Sequence, residues 1–265
     1  MTLSRRVALN NVQLDEVDSR IVISGVEPGD GRENIAAVDA AAGFGQRITG
    51  MRRQSVDMVV RFRIHERGRT AAGQQTRSEV LEKVNAWAAP GGVLTVNYKP
   101  GRRLNVVLAQ APGEGSLWDY TKEFQMTFRA YAIPYWEDST QSSKQVGTDE
   151  SEETTITTGG SAQTQIGFTM LNTSGSTINT ASISAGGKTM SFSSLGLANG
   201  ETLTIDHTDD GLVRIRILGT GGAYRSAMAA RSGANDFLID AGTRTVSYTA
   251  GGACTVTAVW RARYL

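Results

Sequence analysis

Apolar positions recur along this chain at period two almost everywhere and at helical spacing once. In SVDMVVRFRIHER, Val60, Phe62 and Ile64 fall on one face, and Arg61, Arg63 and His65 on the other. That alternation is the signature of a half-buried strand. Residues 20–26 alternate in the same way, and Pro28-Gly29-Asp30-Gly31 turns the chain after them. The small, glycine-rich run 36–45 predicts an irregular excursion, and RGRTAAGQQ predicts a flexible loop. Helical spacing appears next. Val80, Leu81, Val84, Trp87 and Ala88 form one stripe behind a Thr76–Glu79 capping-box spacing, and Pro90-Gly91-Gly92 stops it. Residues 93–98 and 104–109 predict a hairpin around Lys99-Pro100-Gly101-Arg102, and 120–131 a further strand. Strands around one helix predict an α+β or β-sandwich domain with the helix packed on one side.

The rhythm breaks after the aromatic run holding Phe128, Tyr131, Tyr135 and Trp136. From Glu137 to Glu153 almost nothing apolar remains, and six acids oppose one lysine. The expectation is an N-terminal domain over 1–136, an acidic polar linker over 137–158 and a second domain over 159–265. Strands are expected there at 164–171, 177–184, 189–192, 201–206, 212–218, 237–239, 243–248 and 254–264, separated by Gly-containing turns. Such spacing is that of an antiparallel β-sandwich. In the last strand Cys254, Val256, Ala258, Trp260, Ala262 and Tyr264 share a face.

Composition adds limits. The 265 residues suit two domains, and 30 glycines favour tight turns and short strands over long helices. Residues 1–134 carry a net charge of +4 and 135–265 one of −3, with no block long enough to mark a nucleic-acid binder. Cys254 is the single cysteine, so no intrachain disulfide forms, and its place on an apolar face predicts a small buried hydrophobe. The N-terminus MTLSRRVALNNVQL lacks an apolar core, which predicts synthesis in a cytoplasm without a secretory signal. No apolar run is long enough to span a membrane.

Candidate chemistry is sparse. His65 and His207 lie in different domains, and no nucleophile-elbow glycines surround a serine. The DHTDDG run, with Asp206, Asp209 and Asp210, lacks the ligand spacing of an EF-hand and reads as a polar turn. No catalytic residue, metal ligand or cofactor site is expected, and the chain is not expected to be an enzyme. The basic face Arg61, Arg63, His65 is either a solvated strand face or a surface meeting an acidic partner subunit or passing DNA.

Several segments together resemble one family, the distal tail proteins of long, non-contractile-tailed phages. They are SVDMVVRFRI, the helix SEVLEKVNAWA and FRAYAIPYW, then LANGETLTIDHTDDGLV, NDFLIDAGTRTVSYTAGG and AVWRARYL, in this order across nearly the whole chain. The resemblance implies a mainly β protein: an N-terminal β-sandwich with one packed helix, and a galectin-like C-terminal antiparallel β-sandwich. It implies a ring of six copies at the virion tail tip, assembled in the host cytoplasm. Its partners would be the tail tube protein, a tail-tip or baseplate hub protein and receptor-binding proteins, with DNA only as passing cargo and no membrane. Neither His-x-Asn-Pro-Arg nor Trp-Gly-x-Glu occurs, so the resemblance points to a scaffold more than a lectin. The alternatives are a carbohydrate- or receptor-binding adhesion module and a carbohydrate-active enzyme, the latter without a visible catalytic constellation. In this frame Arg61, Arg63 and His65 would lie at a subunit interface or on the lumen.

Overall fold

The computed structural model describes residues 6–28, 32–39, 46–65, 71–113, 123–208 and 211–265. The chain is mainly β and divides into two compact units, Met1–Tyr135 and Trp136–Leu265.

The first unit runs β1 (Val7–Leu9), β2 (Val12–Gln13), α1 (Leu14–Val17), β3 (Ile21–Pro28), β4 (Arg32–Asp39), β5 (Gln46–Ile64), α2 (Ala71–Ala88), β6 (Gly92–Val96), β7 (Arg102–Gln110) and β8 (Phe124–Ala130). Its antiparallel order is β2-β1-β6-β7-β8-β5-β3. Strand β7 changes partner along its length, with Leu104–Val106 on β6 and Val107–Gln110 on β8. Alternation drives the packing. Met58, Val60, Phe62 and Ile64 of β5 and Phe124, Met126, Phe128 and Ala130 of β8 are buried on one face. Val80, Leu81, Val84 and Ala88 of α2 are buried too, and Trp87 meets Phe128 edge to face at 5.9 Å. Each Val, Leu, Ile, Met or Phe among them contributes roughly 1.5–3 kcal/mol on burial.

The helix starts at Ala71, five residues before the expected cap, and takes in most of what read as a loop. Thr76 is mid-helix, its hydroxyl donating to the Ala72 carbonyl at 2.9 Å. Alanine and glutamine are strong helix formers, and together they outweigh Gly73. The stop is where the glycines put it: Gly91 has φ +64°, and a Cβ there would lie 2.5 Å from the Val106 carbonyl oxygen. Residues 66–70 and 114–122 of the expected loop and strand lie outside the described residues. Lys99-Pro100-Gly101-Arg102 forms the expected turn, closed by an Arg102 N–H to Lys99 carbonyl bond, with Gly101 at φ +72°.

The expected excursion around 36–45 is a correction in part. Residues 32–39 form β4, which pairs along residues 46–55 of β5 through two register shifts. Beyond that point β5 changes partners, and residues 56–64 lie between β8 and β3. The remainder of the excursion, 40–45, lies outside the described residues.

The second unit contains β9 (Trp136–Asp138), β10 (Ser142–Gly147), β11 (Ser151–Thr158), β12 (Thr164–Asn172), β13 (Ala181–Ala185), β14 (Lys188–Phe192), β15 (Thr202–His207), β16 (Val213–Leu218), β17 (Tyr224–Ser226), β18 (Arg231–Gly233), β19 (Leu238–Ile239), β20 (Gly242–Ala250), β21 (Cys254–Trp260) and β22 (Arg263–Tyr264). One sheet runs β10-β21-β12-β15-β16-β17, with β19 on β12; the other runs β11-β20-β13-β14-β18. Their facing sides bury Phe168, Leu203, Ile215 and Val256 from the first against Ile156, Ile183, Met190 and Tyr248 from the second. Phe168 and Phe237 meet edge to face at 5.0 Å. This is a two-sheet sandwich.

The expected linker is corrected here. Residues 137–158 hold most of β9 and all of β10 and β11, and Val146 and Ile156 enter the core. The acids have places. Glu137 is buried against Arg263. The Glu152 carboxylate accepts the N–H groups of Thr148 and Asp149 at 2.7 and 3.1 Å, tying down the turn between β10 and β11. Threonines suit a pleated surface, so a polar composition still makes a strand.

Candidate functional site

The face of the first unit's sheet opposite α2 is built by the same alternation that builds its core. On β5 it presents Asp57, Val59, Arg61 and Arg63, and on β8 Gln125, Thr127 and Arg129, with Tyr131 just beyond; β3 adds Val22 and Glu27. Antiparallel register sets Arg129 opposite Asp57 and Gln125 opposite Arg61. Across β3, Glu27 sits opposite Val59, one diagonal step from Arg61.

Among the described residues, three arginines of this face have carboxylate partners. Arg61 Nη1 meets Glu27 Oε1 at 2.8 Å, and Arg63 Nη2 meets Glu123 Oε1 at 3.6 Å. Arg129 makes a fork on Asp57, Nε to Oδ1 at 2.5 Å and Nη2 to Oδ2 at 2.6 Å. These hydrogen bonds raise the guanidinium pKa further above its ordinary value. Arg61, Arg63 and His65 share a side of β5 and its end, and both arginines face carboxylates there. His65 is exposed at its end, its N–H donating to the Arg20 carbonyl at 2.7 Å. Sequence reasoning missed Asp57, Glu27, Glu123 and Arg129. Asp57 belongs to the same alternation as Arg61, but its meaning depends on strand pairing.

A second polar constellation sits in the second unit where β9 pairs β22, outside the two sandwich sheets. Arg263 Nε donates to Glu137 Oε1 at 3.0 Å, with both side chains only 7% exposed. Arg263 Nη2 also donates to Gln165 Oε1 at 2.7 Å. His207 lies in the field of this pair. Burial, and then the nearby Arg263, push its pKa below the ordinary histidine value, against the opposing pull of Asp236, Asp206 and Glu137. Its Nε2 is buried without a hydrogen-bond partner among the described residues. The arrangement is a lock between terminal strands, with no nucleophile bonded to the imidazole. Asp209 and Asp210 lie outside the described residues, and Asp206 is engaged by Arg214 and Arg216 at 2.9 Å each.

Cys254 is fully buried, and burial pushes its thiol up to about 11, the reverse of what a nucleophilic thiolate needs. No described helix is long and apolar enough to cross a membrane.

No family model and no curated protein matches the chain. Solved structures do. The SPP1 Dit protein, described as a paradigm of the hub adsorption apparatus in phages infecting Gram-positive hosts, superposes with a TM-score of 0.69 at 13% identity, covering 98% of this chain and 99% of that one. A chain of the phage P2 baseplate in its activated conformation with calcium covers 97% of this chain and 98% of its own, at a TM-score of 0.48 and 8% identity. The second likeness is too loose to argue from. The first spans both units, and the chain is thus similar in fold to the SPP1 Dit protein over almost its whole length.

Proposed function

We propose that this chain is the hub of a phage tail tip, a ring of six copies that joins the tail tube to the tip or baseplate proteins and continues the DNA channel. The observation that carries the reading is the end-to-end likeness to the SPP1 Dit hub protein, over 98% and 99% of the two chains. A second observation supports assembly. The pairing of β4 with residues 46–55 of β5 has no third strand among the described residues. Two-stranded ribbons are marginal alone in water, so a neighbouring copy is expected to cover this one. Head-to-tail contacts that close by rotation give a ring. The role is structural, with no catalytic step.

Virions of the phage encoding this chain provide the test. Antibody against it should decorate the tail tip, and a nonsense mutant should yield tube-bearing particles that lack the tip. Labelling along the whole tube, or on the capsid, would overturn the assignment.

A further inference from the structure

The outer face of the second unit's five-stranded sheet is built almost wholly of hydroxyls. Along β20 the outward positions are Thr243, Thr245, Ser247 and Thr249. Strand β13 continues them with Ser182 and Ser184, and β14 with Thr189 and Ser191. Among the described residues, Glu153 on β11 is the one outward position of these five strands that is neither Ser nor Thr. Register draws one row out of the array. Ser151, Thr249, Ser182, Ser191 and Ser232 stand opposite one another across all five strands, about 4.8 Å from strand to strand. The row crosses a surface depression of about 220 Å³ lined by Thr180, Ala181, Ser182, Thr249 and Ala250. Threonine suits an exposed strand, but serine is not among the strand-favouring residues, and an ordinary surface intersperses charges of both signs.

The chemistry of this face narrows what can lie on it. Without an outward cation it has nothing to draw a phosphate backbone or an anionic lipid. Without an aromatic or large apolar side chain it lacks the anchors of a protein interface, where serine and threonine carry little energy. A hydroxyl donates one hydrogen bond and accepts two. Pairs such as Ser151–Thr249 at 3.3 Å and Ser184–Thr189 at 2.7 Å therefore still leave capacity for a ligand. The matching ligand is uncharged, hydroxyl-bearing and repetitive. We propose that this face binds a linear, uncharged polysaccharide laid across the strands, with one sugar seated in the depression at Ser182 and Thr249. Strand spacing is close to the length of one sugar ring in an extended chain, so successive sugars meet successive strands. Each contact exchanges a hydrogen bond to water for one to protein and gains little net. Affinity comes from many units engaged at once, and it grows with chain length. The sandwich's other sheet is less suited. On its outer face the Arg216 guanidinium stands over the Tyr224 ring at 4.1 Å, and Asp206 holds Arg214 and Arg216 at 2.9 Å each. Its aromatic ring and its charges are engaged with one another. The inference does not need the ring proposed above; a ring would only multiply the sites.

The test is retention of the purified full-length chain on insoluble cellulose and chitin, with retardation in native gels holding dextran or pullulan. At least one of these neutral polymers should hold the chain, and free monosaccharide should compete on the order of a hundredfold less well per sugar unit. Thr249→Lys and, separately, Ser191→Lys each put a solvated side chain across the row. Each should lower retention on the order of tenfold, the value of one or two hydrogen bonds, with an unchanged far-ultraviolet spectrum. Should one of the two misfold, the other gives the reading. Tyr224→Ala should leave retention as it was. No retention on any of the four polymers would overturn the inference. So would retention confined to dextran sulfate, which would make charge the cause. Loss in Tyr224→Ala with both lysine variants unaffected would also overturn it, by moving the site to the other sheet. A monomeric chain that binds the polymer and loses it in the lysine variants would remove the ring and uphold this face.

Discussion

Arg263 and Glu137 show how one side-chain pair decides a local structure. The alternation from Cys254 through Trp260 would place Arg263 outward, yet the chain leaves the strand after Trp260 and Arg263 turns in to meet Glu137. Removing one partner strands a buried charge. Arg263→Ala should cost about 3–5 kcal/mol in urea unfolding, while the apolar pair Arg263→Met with Glu137→Leu should cost clearly less. Equal losses in the two variants would show that the ion pair is not what is being measured. His207 adds a pH dependence whose sign follows from its depressed pKa. The folded state binds fewer protons than the unfolded chain, where histidine titrates near 6.5, so stability falls as pH drops through that value toward the folded pKa. Melting temperature should decline between pH 7.5 and 5.5, and His207→Gln should flatten that part of the curve. Asp18 works in the same direction at lower pH: hydrogen bonds from Arg20 and Lys83 hold its carboxyl well below the usual range, so its contribution is present above the ordinary carboxylate pKa and is lost as pH falls below it.

Among the elements, the join between α2 and β6 carries a sharp backbone demand. Asn10 has φ 52°, and its side chain bridges the turn, Nδ2 donating to the Gly91 carbonyl and Oδ1 accepting from Val93 N–H, both at 2.9 Å. Gly91 and Gly101 both have positive φ, but a Cβ would meet backbone at 2.5 Å only at Gly91. Each alanine substitution should cost about 1–2 kcal/mol from the left-handed conformation, and Gly91→Ala measurably more. Matching midpoints for the two variants in urea would refute the close-approach argument. The same elements show what a sequence can reveal. Strands with three or more apolar positions at period two, such as β12 and β21, were legible, as were the Pro100-Gly101 turn and the Pro90-Gly91-Gly92 stop. Strands β10 and β11 were not, because Val146 and Ile156 are the main apolar anchors among acids and hydroxyls. Two of the cations of the open face, Arg61 and Arg63, could be read from β5 alone, but Arg129 on β8 could not. Its anionic half comes mostly from β3 and the start of β8, and pairing register is a property of the folded chain.

For the molecule as a whole, the proposal to be tested is assembly: two mainly β units in one chain, the first with a β4–β5 ribbon that has no third strand among the described residues, would close into a ring through copies of itself. A two-stranded ribbon is marginal alone in water, and neighbours related by rotation would cover it. Electron microscopy of the purified full-length chain, imaged across a concentration series, is the most direct measurement. The account predicts closed rings of six copies around a central hole, formed without other tail proteins or at most requiring the tube as template. Single copies at every concentration, with and without tube, would contradict it, as would open helical filaments.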